Sequence, residues 1–267
     1  MKYSILTPVF IGNEDRLSKL YRAIDSVKRQ TMKDYEHIII NDGSVLDAKI
    51  TKTQTKLVQQ PHLERIVAYH NGMKEATGEW FVFLDSDDEM ASYYLEACDA
   101  MMKKFPESKM FNFGSVHITK DYKALSRGPF RPAKADVGHV AFGGGVIVNG
   151  TFIFHRSVYE DLGGYPEPEV HDIDCTEINY PDKDGKMVRT LGMSSPWDFA
   201  AYYQVKYPEI RPFFTHETEK EKSIQELGNP WGQDFALFFQ YTRKYQSEPI
   251  DAHLYIVHPS KGEEHGL

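Results

Sequence analysis

With 267 residues, 41% of them hydrophobic and 13% aromatic, the chain has enough apolar mass to bury a core and does not have a disordered composition. Its 31 Lys and Arg against 39 Asp and Glu leave a net charge of −8, which excludes the basic footprint of a phosphate-backbone binder, so no nucleic-acid partner is expected. An acidic protein that handles a phosphorylated substrate must neutralise it locally, and a cation held by carboxylates is a direct means.

The pattern opens with a β-rich run from Tyr3 to Phe10, followed by Glu14 to Lys28, where Leu17, Leu20, Tyr21, Ile24 and Val27 recur at helical spacing. Asn13 suits the N-cap, and Glu14 and Asp15 suit the first turn. A second strand, His37-Ile38-Ile39-Ile40, is a continuous apolar run of the kind covered on both faces, and it ends at Asn41-Asp42-Gly43-Ser44. A polar helical stretch to about Leu57 is expected next, then a third strand over Arg65 to Ala68. A short helix over Asn71 to Ala76, ended by Gly78, and a fourth strand, Trp80-Phe81-Val82-Phe83-Leu84, complete this part. This alternation predicts an α/β fold with a mainly parallel sheet, in which ligands gather beyond the carboxyl ends of the strands.

Further on, Tyr93 to Phe105 reads as an amphipathic helix stopped before Pro106, and Met110 to Phe113 and Thr151 to Phe154 read as strands. Gly163-Gly164 is a stop, Pro166 to Met193 is irregular, Asp234 to Tyr245 is helical, and Leu254 to Val257 is strand-like. Neither an internal repeat nor a linker separates domains, so residues 1–267 read as one domain, with a nucleotide half to about residue 95 and an acceptor half from about 96 to 267. Cys98 and Cys175 make neither a disulfide framework nor a four-ligand zinc site and read as reduced, buried thiols. The apolar stretch before Pro8 is too short for a secretory signal and no run approaches a transmembrane length. A cytoplasmic protein is therefore expected, with at most peripheral membrane contact through its acceptor.

Asp85-Ser86-Asp87-Asp88-Glu89 packs four carboxylates into five residues directly after an apolar strand. Such crowding calls for a cation or strong donors. An acidic loop capping the helix near Ser92 is the plainer alternative; a calcium loop is disfavoured, since Met90 stands where that loop needs glycine. Gly143-Gly144-Gly145 is neither a dinucleotide nor a Walker loop. His216-Glu217-Thr218-Glu219-Lys220 lacks the second zinc histidine, and no G-x-S-x-G element is present.

Thr7-Pro8-Val9-Phe10, Asn41-Asp42-Gly43-Ser44, Ala76-Thr77-Gly78-Glu79-Trp80 and Leu84-Asp85-Ser86-Asp87-Asp88 follow one another in the order and approximate spacing of the family 2 glycosyltransferases, which the chain resembles over about its first hundred residues. Leu162-Gly163-Gly164-Tyr165 and Gly232-Gln233-Asp234-Phe235 continue the likeness. The resemblance implies a GT-A (Rossmann-like) fold and a metal-dependent, inverting transfer from a nucleoside diphosphate-sugar, UDP-linked by analogy, to a glycan, glycolipid or other hydroxyl acceptor. It also implies that Thr7 and Pro8 line the nucleobase pocket, Asp42 hydrogen-bonds the base, Asp85 with Ser86 lies toward the ribose, and Asp87 binds Mn2+ or Mg2+. Departures are Asn41, where the family often has Asp, and Tyr69-His70-Asn71-Gly72, where Arg-Asn-x-Gly is more usual.

Two further positions complete the expected site. By the same resemblance Asp234, in the element similar to the family's Glu-Asp helix, is favoured over Asp198 as catalytic base, and His258, held by a strand in a region where related enzymes can bring a histidine to the metal, is ranked above His265 as a metal ligand. The competing readings are a phosphohydrolase using Asp85-Ser86-Asp87, although such a motif normally follows the first strand, and a nucleotide- or carbohydrate-binding module without turnover.

Overall fold

In the computed structural model β1 spans Tyr3–Val9 and is buried along its whole length, as a strand covered on both faces must be. The structure describes residues 1–46, 50, 55–61, 64–129, 149–163, 179–181, 187–189, 241 and 244–259. Helix α1 (Glu14–Lys28) begins where expected, with the Asn13 side chain accepting a hydrogen bond from Arg16 N at 3.0 Å and Glu14 and Asp15 in the first turn. β2 (Tyr35–Asp42) runs parallel to β1, setting Pro8 beside Ile40 and Val9 beside Asn41.

The next stretch corrects the sequence expectation. The third strand is β3 (Thr55–Gln60), parallel to β2, so Leu57 belongs to a strand rather than to the end of a helix. Arg65 to Ala68 is not a strand: it lies in α2 (Glu64–Glu75), which also absorbs the separate short helix expected from Asn71 to Ala76. The β-branched pair Ile66-Val67 suggests a strand over four residues. Buried Ala68, Tyr69, Gly72 and Met73 recur at a helical period over twelve, and that longer pattern decides. Gly72 lets α2 approach the sheet, since a Cβ there would lie 2.7 Å from Ile40 Cδ1.

After α2 come β4 (Trp80–Phe83), β5 (Glu89–Met90), α3 (Tyr94–Lys104), β6 (Met110–Ile118) and β7 (Ala124–Arg127). β8 (Phe152–His155), α4 (Arg156–Leu162), β9 (Asn179–Pro181), β10 (Met187–Arg189) and β11 (Ser247–Val257) follow. The main sheet has the order β3-β2-β1-β4-β8-β6-β11-β5, with β7 beside β6. β3, β2, β1 and β4 are parallel, whereas β8 is antiparallel to both β4 and β6. Strands on both sides of residue 95 therefore share one sheet. Ala23 and Val27 of α1 pack with Leu95 and Cys98 of α3 against Tyr3, Ile5 and Val82. Cys98 is a free, buried thiol, as expected; Cys175 lies outside the described residues.

By compactness the chain falls into two units, Met1–Arg131 with Ile147–Gly164 and Thr242–Leu267, and Pro132–Val146 with Tyr165–Tyr241. The first carries the main sheet. In the second, β9 and β10 form an antiparallel pair with Tyr180 opposite Val188.

The turn Ala76-Thr77-Gly78-Glu79 is a structural joint. Glu36 of β2 accepts hydrogen bonds from Ser4 Oγ (2.7 Å), Thr77 Oγ1 (2.8 Å), Thr77 N and Gly78 N (3.0 Å). From the other side Arg156 donates to Gly78 O and Ala76 O, both at 2.8 Å, with its guanidinium 4.9 Å from the Phe81 ring centre. Burial raises the Glu36 pKa, but the four donors outweigh it and hold the carboxyl below its ordinary range. A depressed carboxylate adds stability above the unfolded-state pKa and loses it as pH falls toward the folded-state value. Glu36→Gln is therefore expected to cost about 1 kcal/mol at neutral pH, since solvent screens this partly exposed carboxylate, and to flatten the acid limb of the stability curve. Urea unfolding at stepped pH checks this, and a variant that weakens in acid as steeply as the native protein would contradict it.

Candidate active site

β1, β2 and β4 end on the same side of the sheet, at Val9, Asp42 and Phe83, and the residues expected to bind a donor stand at those ends. Thr7 is fully buried and its Oγ1 lies 2.9 Å from Nε2 of His37. Burial first, and the charge of Lys28 second, push the His37 pKa down to about 3, so the imidazole is neutral at physiological pH. Pro8 is buried beside Ile40. Asp42 is only 3% exposed and accepts from Gln60 Nε2 at 2.6 Å, while Asn71 Nδ2 donates to Gln60 Oε1 at 2.8 Å. An amide chain from α2 through β3 thus orients the predicted base-binding carboxylate.

Asn41, the departure from the family pattern, shapes the turn that follows. Its Oδ1 accepts from Ser44 N at 3.0 Å, its Nδ2 donates to Ser44 O and to Gln59 Oε1, both at 2.6 Å, and Gly43 takes the left-handed φ of 86° that such a turn needs. Ser44 Oγ accepts from Ile11 N at 2.6 Å, tying this turn to the end of β1.

The acidic segment forms a turn closed by Asp88 N donating to Asp85 O at 3.1 Å. Asp85 Oδ1 accepts from Tyr69 Oη at 2.8 Å and lies 3.7 Å from Arg65 Nη1, so α2 supplies a tyrosine and an arginine one helical turn apart to the same oxygen. Burial raises the Asp85 pKa and the Asp87 charge adds to it, against the pull of Arg65 and the Tyr69 hydrogen bond. Asp87 has Arg16 Nη1 3.7 Å from Oδ2, and its backbone carbonyl accepts from Arg22. Asp88 is 5% exposed and held well above its ordinary pKa by burial and by Asp87 and Asp85, although His258 N at 2.9 Å and the Tyr255 hydroxyl both hydrogen-bond it.

β11 brings the C-terminal segment to this turn. Asp85 N donates to Tyr255 Oη at 3.0 Å, and His258 Nε2 lies 2.9 Å from Glu89 Oε1. Arg29 Nη2 donates to Glu89 Oε2 at 2.8 Å. Burial and Arg22 depress the His258 pKa against the pull of Glu89. The structure thus places His258, the expected metal ligand, beside the acidic turn with its Nε2 facing Glu89.

Among the described residues no three His, Cys, Asp or Glu side chains converge to cage a metal. The donor set suits a different mode of binding, in which one or two carboxylates share a cation with substrate phosphates, as Mg2+ favours. Asp85 and Asp87, whose proximity opposes ionisation of Asp85, fit that mode.

Sequence reasoning missed Gln60, Arg65, Tyr69 and Tyr255. Arg65 was hidden by reading Arg65 to Ala68 as a strand that stopped short of Tyr69; on one helix their spacing would have paired them. Arg22 on α1 and Arg29 just past its end, two helical turns apart, were legible as basic residues that could meet an acidic run. Asp198, Asp234, His265, Gly143-Gly144-Gly145 and the His216 segment lie outside the described residues.

Residues 4–163, more than half of the chain, match the sequence model of glycosyl transferase family 2. The chain belongs to this family. Its relatives include a GalNAc(5)-diNAcBac-PP-undecaprenol beta-1,3-glucosyltransferase from Campylobacter jejuni, 32% identical over 45% of this chain and 40% of that protein. Another is the poly(ribitol-phosphate) beta-N-acetylglucosaminyltransferase TarP of Staphylococcus aureus, 37% identical over 36% of this chain and 31% of that protein. The chain thus aligns with well under half the length of these two relatives.

Crystal structures of S. aureus TarS 1-349 share the fold. The complex with UDP-GlcNAc has a TM-score of 0.56 at 12% identity, covering 98% of this chain and 60% of that one. The complex with UDP has a TM-score of 0.53 at 15% identity, covering 82% and 68%. The family 2 chain described here accordingly has the GT-A fold expected from its sequence. Among its described residues no helix is long and apolar enough to cross a membrane.

Proposed function

We propose that this chain transfers a sugar from a UDP-linked donor to a hydroxyl of a glycan, glycolipid or similar acceptor, in glycan or polysaccharide synthesis, with a divalent cation and with inversion. The observation that carries this reading is the placement of buried Asp42 and of the Asp85–Asp87 turn at the carboxyl ends of β2 and β4, the two neighbours of β1. Family membership supports the reaction class, and the UDP-GlcNAc complex of the similar TarS structure makes UDP-GlcNAc the first donor to test. A cytoplasmic location belongs to the same reading.

In this reading Thr7, Pro8 and Asp42 hold the base, and Asp85 and Ser86 face the ribose. Asp87 would hold Mn2+ or Mg2+, with His258 as a further ligand through Nδ1 or after release of Nε2 from Glu89. The bound ion would offset the charge that develops on the diphosphate leaving group. Asp234, with Asp198 as the alternative, takes the acceptor hydroxyl proton as that oxygen bonds the anomeric carbon and the bond to the diphosphate breaks. This single displacement inverts the anomeric centre.

Release of UDP from UDP-sugars, measured with Mn2+, with Mg2+ and with chelator, tests the reading. Cation-dependent release that rises with a hydroxyl acceptor supports it. UDP binding without turnover would instead indicate a binding module, and liberation of inorganic phosphate a phosphohydrolase.

Asp42→Ala is expected to weaken UDP binding about 10- to 100-fold, the scale of a lost charge-assisted hydrogen bond, while leaving manganese pyrophosphate binding nearly unchanged. Calorimetric titration with both ligands checks this. Equal losses would show that Asp42 acts through the Gln60–Asn71 chain and the loop rather than on the base.

A further inference from the structure

The acidic turn is held from a distant part of the chain: Tyr255 and His258 each act on a residue 170 positions away in sequence. Tyr255 Oη accepts from Asp85 N at 3.0 Å and His258 N donates to Asp88 Oδ1 at 2.9 Å, so the end of β11 holds both the first and the last residue of the turn. The phenol has little freedom to move. Its ring is fully buried against Gly150, where a Cβ would fall 1.7 Å from Tyr255 Cε2, and Gly150 is itself fixed by Tyr94 Oη donating to its carbonyl at 3.0 Å. Between the two anchored ends, the Asp87 carbonyl is bonded by Arg22.

We propose that Tyr255 is a positioning residue of the donor site, whose hydroxyl fixes the turn so that the Asp85 and Asp87 carboxylates are presented together to a nucleoside diphosphate and its cation. The inference rests on the donor reading given above. Tyr255 touches neither donor nor acceptor in this role; it sets where the carboxylates stand before either arrives, which lowers the ordering cost of binding. Tyr255→Phe removes the hydroxyl and keeps the buried ring. The Asp85 amide then loses its acceptor.

The test compares native protein and Tyr255→Phe by hydrogen exchange and by calorimetric titration of UDP with and without Mn2+. Exchange in peptides covering residues 85–90 is expected to rise about tenfold, the effect of one lost buried hydrogen bond, with peptides from β1 and β2 unchanged. UDP affinity in Mn2+ should fall by a similar factor, and by more than the affinity for uridine, which meets the turn through its ribose alone and lacks the diphosphate. Unchanged exchange in the turn with unchanged UDP affinity would overturn the proposal, as would loosening of all peptides together, the mark of a purely structural tyrosine. If native protein binds no UDP in any cation while the turn alone loosens, the donor reading fails and the role of Tyr255 in holding the turn stands.

Discussion

Asp87→Asn is expected to abolish cation-dependent UDP binding and to lower sugar transfer at least about 100-fold, while the protein stays folded. The fold should survive because the carboxylate is surplus to packing. Asp87 sits in a turn whose backbone is secured elsewhere, by Tyr255 on Asp85 N, by Arg22 on the Asp87 carbonyl and by His258 N on Asp88. Its charge is one of the causes that raise the Asp85 and Asp88 pKa values, so neutralising it relieves both. The loss of the Arg16 contact at 3.7 Å is a weaker opposing effect, since Arg16 is half exposed and such pairs contribute little. The variant without ligand should therefore melt no lower than the native protein, and its melting temperature should no longer respond to Mn2+ with UDP. A variant that binds UDP with unchanged manganese dependence would move the metal assignment off Asp87.

The site's outline was legible in the sequence because its main parts are short, contiguous motifs at strand ends. Asp42 and Asp85 to Asp87 each follow an apolar run that can only be a covered strand, and a parallel sheet brings such ends to one side. What was not legible is the support. Gln60 and Asn71 reach Asp42 from β3 and α2, Tyr69 and Arg65 reach Asp85 from α2, and Tyr255 reaches the turn from β11. None of these side chains is close in sequence to the group it serves, and Arg65 was moreover assigned to a strand. Long-range partners depend on strand order, and the order of β8, β6 and β11 beyond β4 breaks the simple parallel series.

The likeness of the Ala76-Thr77-Gly78-Glu79 turn to its family pattern was legible as well, but its physical basis was not. Gly78 is required because a Cβ would lie 2.7 Å from Ser4 N, and the turn's amides and carbonyls are bonded by Glu36 and Arg156. This motif secures the segment entering β4, and so the acidic turn that follows it. Among the described residues it makes none of the contacts that define the donor site.

Asp234→Asn is expected to keep donor and cation affinity near native while transfer falls about 100- to 10,000-fold, the range for removing a general base. Asp198→Asn should mainly raise the KM for the acceptor. Both aspartates precede apolar helical patterns, where a carboxylate can also serve only to complement the helix dipole, so sequence position alone does not separate them. Asp234 is preferred because Phe235, Leu237, Phe238 and Tyr241 form a helical pattern followed by a strand, as the family's Glu-Asp helix is. That following strand is present as β11 and leads to His258 at the acidic turn. Gln233 in place of the usual acid leaves Asp234 as the one carboxylate of that element. Measuring UDP binding and sugar transfer side by side decides between the two: near-normal transfer by the Asp234 variant, with loss in the Asp198 variant, would reverse the assignment.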